Sequence, residues 1–299
     1  MSERKKEIDF LIIGVQKSAT SWLYDCINEH PQICVPKYKK EVEYIGGELY
    51  NKNGLEWYFS LLDHCGTDSV KGDVSVEYMY NKHSAELIKK FIPNVKLIVS
   101  LRNPVERAIS AYYWYLRKGL ISSERSMIET FKYLKKNYQE GNKNAEGIDI
   151  IERGMYHEQL ESYLNYFDKS QLLILLYEEI KLNPGSVLKK IFSFLNVDEN
   201  FVPKSILEKP KQNSYSNWII KFERLNPNSR LIAGIADKIN HLLLSNANRQ
   251  KIPPQELEGA AILSDLYDSS INKTKVIIES FPAWRQPQMD ISKVWRKIF

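Results

Sequence analysis

The stretch IDFLIIGVQKSATSWLYDCIN, residues Ile8–Asn28, decides the fold. Its first part, Ile8–Gly14, is an apolar run rich in isoleucine and closed by glycine. That is the pattern of a strand buried on both faces of a parallel sheet. Beyond Thr20 the period changes, and Trp22, Leu23, Cys26 and Ile27 fall on one side of a helix that His30-Pro31 ends. Between strand and helix lies a short polar loop. The first N–H groups of a helix have no intrahelical partner, and the dipole favours an anion there. Lys17 adds a cation, and Ser18, Thr20 and Ser21 add hydroxyls. The segment is built for a phosphate, with an ordinary polar β–α turn as the plainer alternative. It is not a Walker A loop, which needs Gly, four residues and then Gly-Lys-Ser/Thr. Here Ala19 stands where the second Gly would, and the lysine precedes it.

The same strand–loop–helix grammar recurs downstream. Val95–Leu101 (VKLIVSL) reads as a second buried strand, followed by a helix over Pro104–Lys118. Asn103 caps that helix, Pro104 suits its first turn, and Glu106 sits three residues after the cap. Arg102 falls at the carboxyl end of the strand, where open α/β sheets bind ligands. Ser110 follows eight residues on, about two helical turns away. A plain ion pair between Arg102 and a carboxylate is the competing reading. Leu172–Tyr177 (LLILLY) is a third buried strand with a helix over Pro184–Leu195, and Ser69–Tyr80 holds a shorter strand. Ser84–Phe91 and Met155–Phe167 read as helices, and the polar stretch Glu124–Gly147 as a surface helix and loop. Such alternation predicts a parallel sheet with helices on both faces. Past Phe201 the strand signal fades into helical sequence broken at Pro253-Pro254.

Composition narrows the partners. The chain has 299 residues, 43% hydrophobic and 26% charged, which is ordinary for a globular protein. Its 42 Lys and Arg against 37 Asp and Glu give a net charge of +5. That excess suits an anionic ligand and is too small to carry a nucleic-acid reading. Cys26, Cys34 and Cys65 form no CxxC or finger spacing, so neither a disulfide framework nor a structural zinc is expected, and a reducing compartment follows. No segment approaches the roughly 18 apolar residues of a membrane helix. The charged N-terminus and its six-residue apolar run, Phe10–Val15, lack a signal-peptide core. A cytoplasmic protein without a membrane span is the expectation.

Taken together, IIGVQKSATSWL and LIVSLRNPVERAISAYY resemble the 5′-phosphosulfate loop and the 3′-phosphate segment of sulfotransferases that use 3′-phosphoadenosine 5′-phosphosulfate. RGMYHEQLESYL (Arg153–Leu164), NPGSVLKKIFSFLNV (Asn183–Val197), KEVEYIGG (Lys40–Gly47) and GLEWY (Gly54–Tyr58) extend the likeness to the heparan-type carbohydrate enzymes and their bacterial relatives. The likeness spans roughly residues 8–215. LSDLYDSSI (Leu263–Ile271) and Trp284 add weaker matches. Two departures stand out. Ala19 replaces the usual Gly, which it can do only at negative φ, and Asn103 replaces an Asp, which caps equally well.

The resemblance implies a single α/β domain over residues 1–299: a P-loop-like parallel sheet of about five strands, as in doubly wound folds, with a helical segment from about residue 216 over the acceptor cleft. It implies that Lys17 contacts the bridging oxygen and 5′-phosphate of the donor, cradled by Ser18, Ala19, Thr20, Ser21 and Trp22. Arg102 and Ser110 would bind the 3′-phosphate, and Lys211 would close over the nucleotide. Sulfuryl transfer would then be an in-line displacement by a hydroxyl or amine, a carbohydrate by preference, releasing adenosine 3′,5′-bisphosphate and requiring no metal. Glu41, at the acidic position of the KEV motif, would be the general base, kept ionised by Lys37, Lys39 and Lys40. A surface ion pair is the plainer reading of it. Glu43, Asp73 and Glu77 are further acidic candidates. His157 is the histidine most worth testing. In the run Tyr112, Tyr113, Trp114 and Tyr115 most rings are expected in the core, and the others could line an acceptor cleft. The competing classes are a P-loop kinase or nucleotide triphosphatase and a non-catalytic nucleotide or polyanion binder. The first would need an acid closing a strand, where this chain has Arg102.

Overall fold

The structure, a computed structural model, describes residues 8–37, 41–47, 50, 52–208 and 254–295. Five strands form one sheet: β1 (Phe10–Gly14), β2 (Ile33–Cys34), β3 (Val70–Val74), β4 (Lys96–Leu101) and β5 (Leu172–Leu176). All pairings are parallel, in the order β2-β3-β1-β4-β5. Among the described residues, the helices of eight residues or more are α1 (Thr20–Asn28), α2 (Ser84–Phe91), α3 (Pro104–Lys118), α4 (Met127–Gln139), α5 (Tyr156–Leu164), α6 (Pro184–Leu195) and α7 (Pro254–Glu279). The expected strands and helices stand within a few residues of their predicted bounds. The two-residue edge strand β2 is new, because two residues carry no readable period.

The central strands are apolar throughout because both faces of the sheet are covered. Leu11, Ile13, Leu97, Val99, Ile174 and Leu176 point into one core cluster. Their alternates Phe10, Ile12, Ile98, Leu173 and Leu175 point into the other. β1 is central, and the chain turns left to β2 and β3 and then right to β4 and β5. The crevice at this reversal opens at the carboxyl ends of β1 and β4.

Two expectations need correction here, and a third falls largely outside the described residues. Glu124–Gly147 is more than a surface segment. Ser126 and Glu129 close a capping box at the start of α4, and Met127, Phe131 and Leu134 are buried beneath it. Polar residues on its outer face hid this inner stripe. Of the C-terminal segment expected over the cleft, residues 209–253 lie outside the described residues, and none of residues 254–295 lines the cavity at the carboxyl ends of the strands. α7 packs on α3, α4 and α5, and its Tyr267 lies where a Cβ on Gly154 would come within 2.7 Å of the ring. Such an approach admits only glycine. The cysteines also differ: Cys34 and Cys65 form a disulfide across a sequence separation of 31, and Cys26 is free and buried. The pairing comes from tertiary contact between β2 and the turn after Leu55–Ser60, which spacing along the chain does not encode. The compartment inferred from unpaired cysteines loses that support.

Candidate active site

The loop between β1 and α1 is shaped from the neighbouring strand. Val15 N–H donates to the Ser100 carbonyl at 3.0 Å, and the Ser100 hydroxyl donates to the Ser18 carbonyl at 2.8 Å. Held in this way, the loop places Lys17 (φ 73°) and Ala19 (φ 66°) in the left-handed region. The expectation of a negative φ at Ala19 is therefore wrong. Tertiary hydrogen bonds impose on alanine a backbone that glycine adopts more cheaply. Ala19 occupies the N-cap of α1, and no side chain caps that helix. Ser18 is fully buried, and among the described residues its hydroxyl has no partner. A buried hydroxyl with its bonding capacity to spare beside a helix start is chemistry that suits an oxyanion.

The second loop follows β4. Asn103 accepts from the N–H groups of Val105 and Glu106 at 3.0 and 3.3 Å, so the predicted cap forms. Its amide donates to the Trp295 carbonyl at 2.7 Å, and its own N–H donates to the half-buried Glu178 carboxylate at 2.9 Å. Burial pushes the Glu178 carboxyl up, and the N–H of Asn103 partly offsets this. Arg102 is fixed on every side. Its carbonyl accepts from the Tyr156 hydroxyl at 2.8 Å. Its guanidinium donates to Glu106 at 3.0 Å and to the Lys17 carbonyl at 3.3 Å, and lies 4.3 Å from the Tyr177 ring centre. The plain ion-pair reading of Arg102 is thus part of the picture, yet Glu106 is on the surface while the guanidinium faces the cleft.

Lys17, Ser18, Ala19, Thr20, Ser21, Trp22, Glu41, Arg102 and Ser110 all line one cavity of about 460 Å³. Trp22 stands at its margin, its indole N–H bonded to the Ser205 carbonyl at 3.0 Å. Lys211, Lys39 and Lys40 lie outside the described residues. Glu43 and Glu77 also line the cavity, with Glu77 paired to buried Arg153 at 2.7 Å. Asp73 is 1% exposed and does not line it. His157 is far from it in partnership: its Nδ1 bonds the Ser270 hydroxyl at 2.9 Å, and burial lowers its pKa. Tyr112, Tyr113 and Tyr115 are core, whereas Trp114 faces the cavity with Ser110, one turn away.

Tyr177 also lines the cavity and was not singled out as a site residue. The available signal for Tyr177 was its place at the carboxyl end of β5, level with Arg102 at the end of β4. A larger cavity of about 780 Å³ lies at the opposite, amino-terminal ends of the strands, lined by Ile8, Val70, Val95 and Lys96 among others. It lacks the convergent cations and hydroxyls, so chemistry rather than size selects the smaller cleft.

Comparison with known proteins agrees with this geometry. The family model described as "Sulfotransferase domain" matches residues 7–238. The membrane-associated sulfotransferase kil1 of Dictyostelium discoideum is 25% identical over 72% of this chain and 62% of its own length. The bifunctional heparan sulfate N-deacetylase/N-sulfotransferase 4 of Mus musculus is 26% identical over 94% of this chain and 31% of its own length. The chain thus spans less than two thirds of these curated relatives. In three dimensions, a sulfotransferase from Alicyclobacillus acidocaldarius superposes with a TM-score of 0.65 at 22% identity, covering 94% of this chain and 99% of that one. Mouse sulfotransferase SULT7A1, solved with PAP, gives 0.53 at 16% identity over 99% and 90%. With more than half its length matched by the family model, a parallel five-stranded sheet, and the two expected loops converging on one cleft, the chain belongs to the sulfotransferase domain family.

Proposed function

We propose that the cleft binds 3′-phosphoadenosine 5′-phosphosulfate and passes its sulfuryl group to a hydroxyl or amine, with a carbohydrate acceptor favoured by the heparan-directed relatives. One observation carries the reading. Two anion-binding loops, after β1 and after β4, are joined by the Arg102–Lys17 contact and face Glu41 across a single cavity. The fit of the loop after β1 to a phosphate rests on the unpartnered Ser18 hydroxyl and on the start of α1, which has no side-chain cap.

The donor supplies an activated sulfur–oxygen bond. Ser18, Thr20 and Ser21 hold its 5′-phosphate, and Arg102 and Ser110 take the 3′-phosphate. The planar fork of Arg102 suits two phosphate oxygens. Lys17 stabilises the charge that builds on the leaving phosphate oxygen as the sulfur–oxygen bond breaks. Glu41 receives the proton released when the acceptor oxygen or nitrogen bonds to sulfur. The loops align the reacting atoms, which lowers the entropic part of the barrier.

The test is calorimetric binding of adenosine 3′,5′-bisphosphate beside ATP with Mg²⁺, followed by sulfuryl transfer to a polysaccharide with free glucosamine amines. Micromolar binding of the bisphosphate without metal, and loss of transfer in Glu41→Gln, support the assignment. Tighter binding of ATP with Mg²⁺, or no contribution from the 3′-phosphate, overturns it in favour of a kinase-like enzyme. Bisphosphate binding without transfer to any acceptor would leave a nucleotide-binding module.

A further inference from the structure

Asp73 sits in β3, in register with Leu11 of β1, and is 1% exposed. Its partners are all donors. Oδ1 accepts from Val74 N–H at 2.7 Å. Oδ2 accepts from the hydroxyls of Tyr58 at 3.0 Å, Ser75 at 3.2 Å and Tyr78 at 2.8 Å. Burial pushes the carboxyl up, and the donated bonds oppose this. Among the described residues no cation contacts it. A buried carboxylate of this kind is costly, and the sulfuryl-transfer chemistry set out above does not use it directly.

The chemistry of the hydroxyls explains what it does. A carboxylate only accepts, so the hydrogens of Ser75 and Tyr78 both point at Asp73. Their oxygens then face outward as acceptors of fixed direction. Glu43 N–H donates to Ser75 Oγ at 3.1 Å, and Tyr44 N–H donates to the Tyr78 hydroxyl oxygen at 3.3 Å. Tyr58, the third hydroxyl on Asp73, stacks its ring on Tyr44 at 4.6 Å and 11°. At the loop's start, Glu41 N–H donates to the Val74 carbonyl at 2.9 Å, one residue beyond Asp73. The loop needs this grip. Glu41 (φ 62°) and Glu43 (φ 51°) are both left-handed without being glycine, a backbone that persists only where the surroundings over-determine it.

We infer that Asp73 is a positioning residue for the proposed base: by orienting the Ser75 and Tyr78 hydroxyls it fixes the backbone of Glu43 and Tyr44 and holds Glu41 in the cleft. The inference rests on the sulfuryl-transfer reading, in which Glu41 takes the acceptor proton. Asp73 itself touches neither donor nor acceptor.

Asp73→Asn tests it, since the amide keeps the shape but turns one acceptor oxygen into a donor. Wild type, Asp73→Asn, Ser75→Ala and Tyr78→Phe are compared by amide hydrogen exchange over residues 41–47. The same proteins are titrated with adenosine 3′,5′-bisphosphate and assayed for transfer to the glucosamine-bearing polysaccharide. Asp73→Asn should speed exchange of the loop amides at least tenfold and lower kcat about a hundredfold, the cost of a misplacement of roughly 1 Å. Bisphosphate affinity and KM for the sulfuryl donor should stay within about twofold of wild type, because the Lys17 and Arg102 loops are bonded elsewhere. Adding Tyr78→Phe to Asp73→Asn should cost little more than Asp73→Asn alone, because both act through one bond. Wild-type loop exchange in Asp73→Asn overturns the inference. So does a fall in bisphosphate affinity that parallels the fall in kcat, which marks a purely structural carboxylate. Should Glu41→Gln transfer as well as wild type, the base assignment fails, while the exchange result still decides whether Asp73 holds the loop.

Discussion

Arg102 donates from Nη1 to the carbonyl oxygen of Lys17 at 3.3 Å, so the loops after β1 and β4 are one unit rather than two neighbouring anion sites. The same guanidinium holds Glu106 at 3.0 Å and lies over Tyr177. Arg102→Ala should weaken adenosine 3′,5′-bisphosphate binding by about 1.5–3 kcal/mol, the range for hydrogen bonds to charged groups. Arg102→Lys should recover less than half of that loss. An ammonium cannot reach the Lys17 carbonyl, Glu106 and a phosphate with one planar fork. Calorimetry on the three proteins measures both effects.

Ala19 bears a backbone cost at φ 66° that glycine does not. Ala19→Gly should stabilise the fold by up to about 1 kcal/mol, the left-handed penalty of an L-residue less the entropy glycine adds to the unfolded chain. Ala19→Val should destabilise it by more than that, since a branched Cβ tolerates the region worse. Urea midpoints at constant m-value report the differences.

The Cys34–Cys65 bridge closes a loop of 31 residues in sequence separation between the edge strand β2 and the turn that follows Leu55–Ser60. On the chain-entropy account such a link contributes about 3–4 kcal/mol. Denatured, unreduced protein should show a single reactive thiol, Cys26, in a thiol titration. Cys34→Ser with Cys65→Ser should lower the urea midpoint accordingly. Three reactive thiols before reduction would contradict the pairing.

His157 is buried against Ser270, and burial lowers its pKa from the ordinary value of 6.5. The unfolded chain therefore binds a proton more readily than the folded one. The stability that neutral His157 contributes is present in full above about pH 6.5. It is lost as pH falls from there toward the lower folded-state value. Urea midpoints for wild type should fall between pH 7.5 and pH 5. His157→Gln should remove part of that slope. An equal slope in both proteins would place the titration elsewhere.

Much of the site was legible because its parts are local. Lys17 and Ser18 follow a strand, Arg102 and Asn103 follow another, and Asn103-Pro104 starts a helix whose Ser110 lies two turns on. Each of those facts is a matter of spacing within some fifteen residues, and each is satisfied in the fold. What spacing could not show was the conformation imposed from outside. Nothing in VQKSATS states that Ser100 will grip the loop and turn Ala19 left-handed. Nothing in GDVSVEY states that Asp73 will be buried under Tyr58, or that Ser75 and Tyr78 will hold Glu43 and Tyr44, 32 and 34 residues away. The disulfide and the inner stripe of α4 were missed for the same reason: their partners are distant in sequence.

By itself the amino-acid sequence determined the element order, the parallel sheet and the two polar loops after β1 and β4, because hydrophobic period, capping and turn chemistry act over a few residues. The tertiary structure decided which side chains share the cleft, where Asp73 and His157 are buried, how Cys34 meets Cys65, and that α7 packs on α3, α4 and α5. Most of those outcomes depend on contacts between segments distant in sequence, such as Cys34 with Cys65 and His157 with Ser270, whose energies are set by close packing and by desolvation of polar groups. Neither exists until the chain has folded.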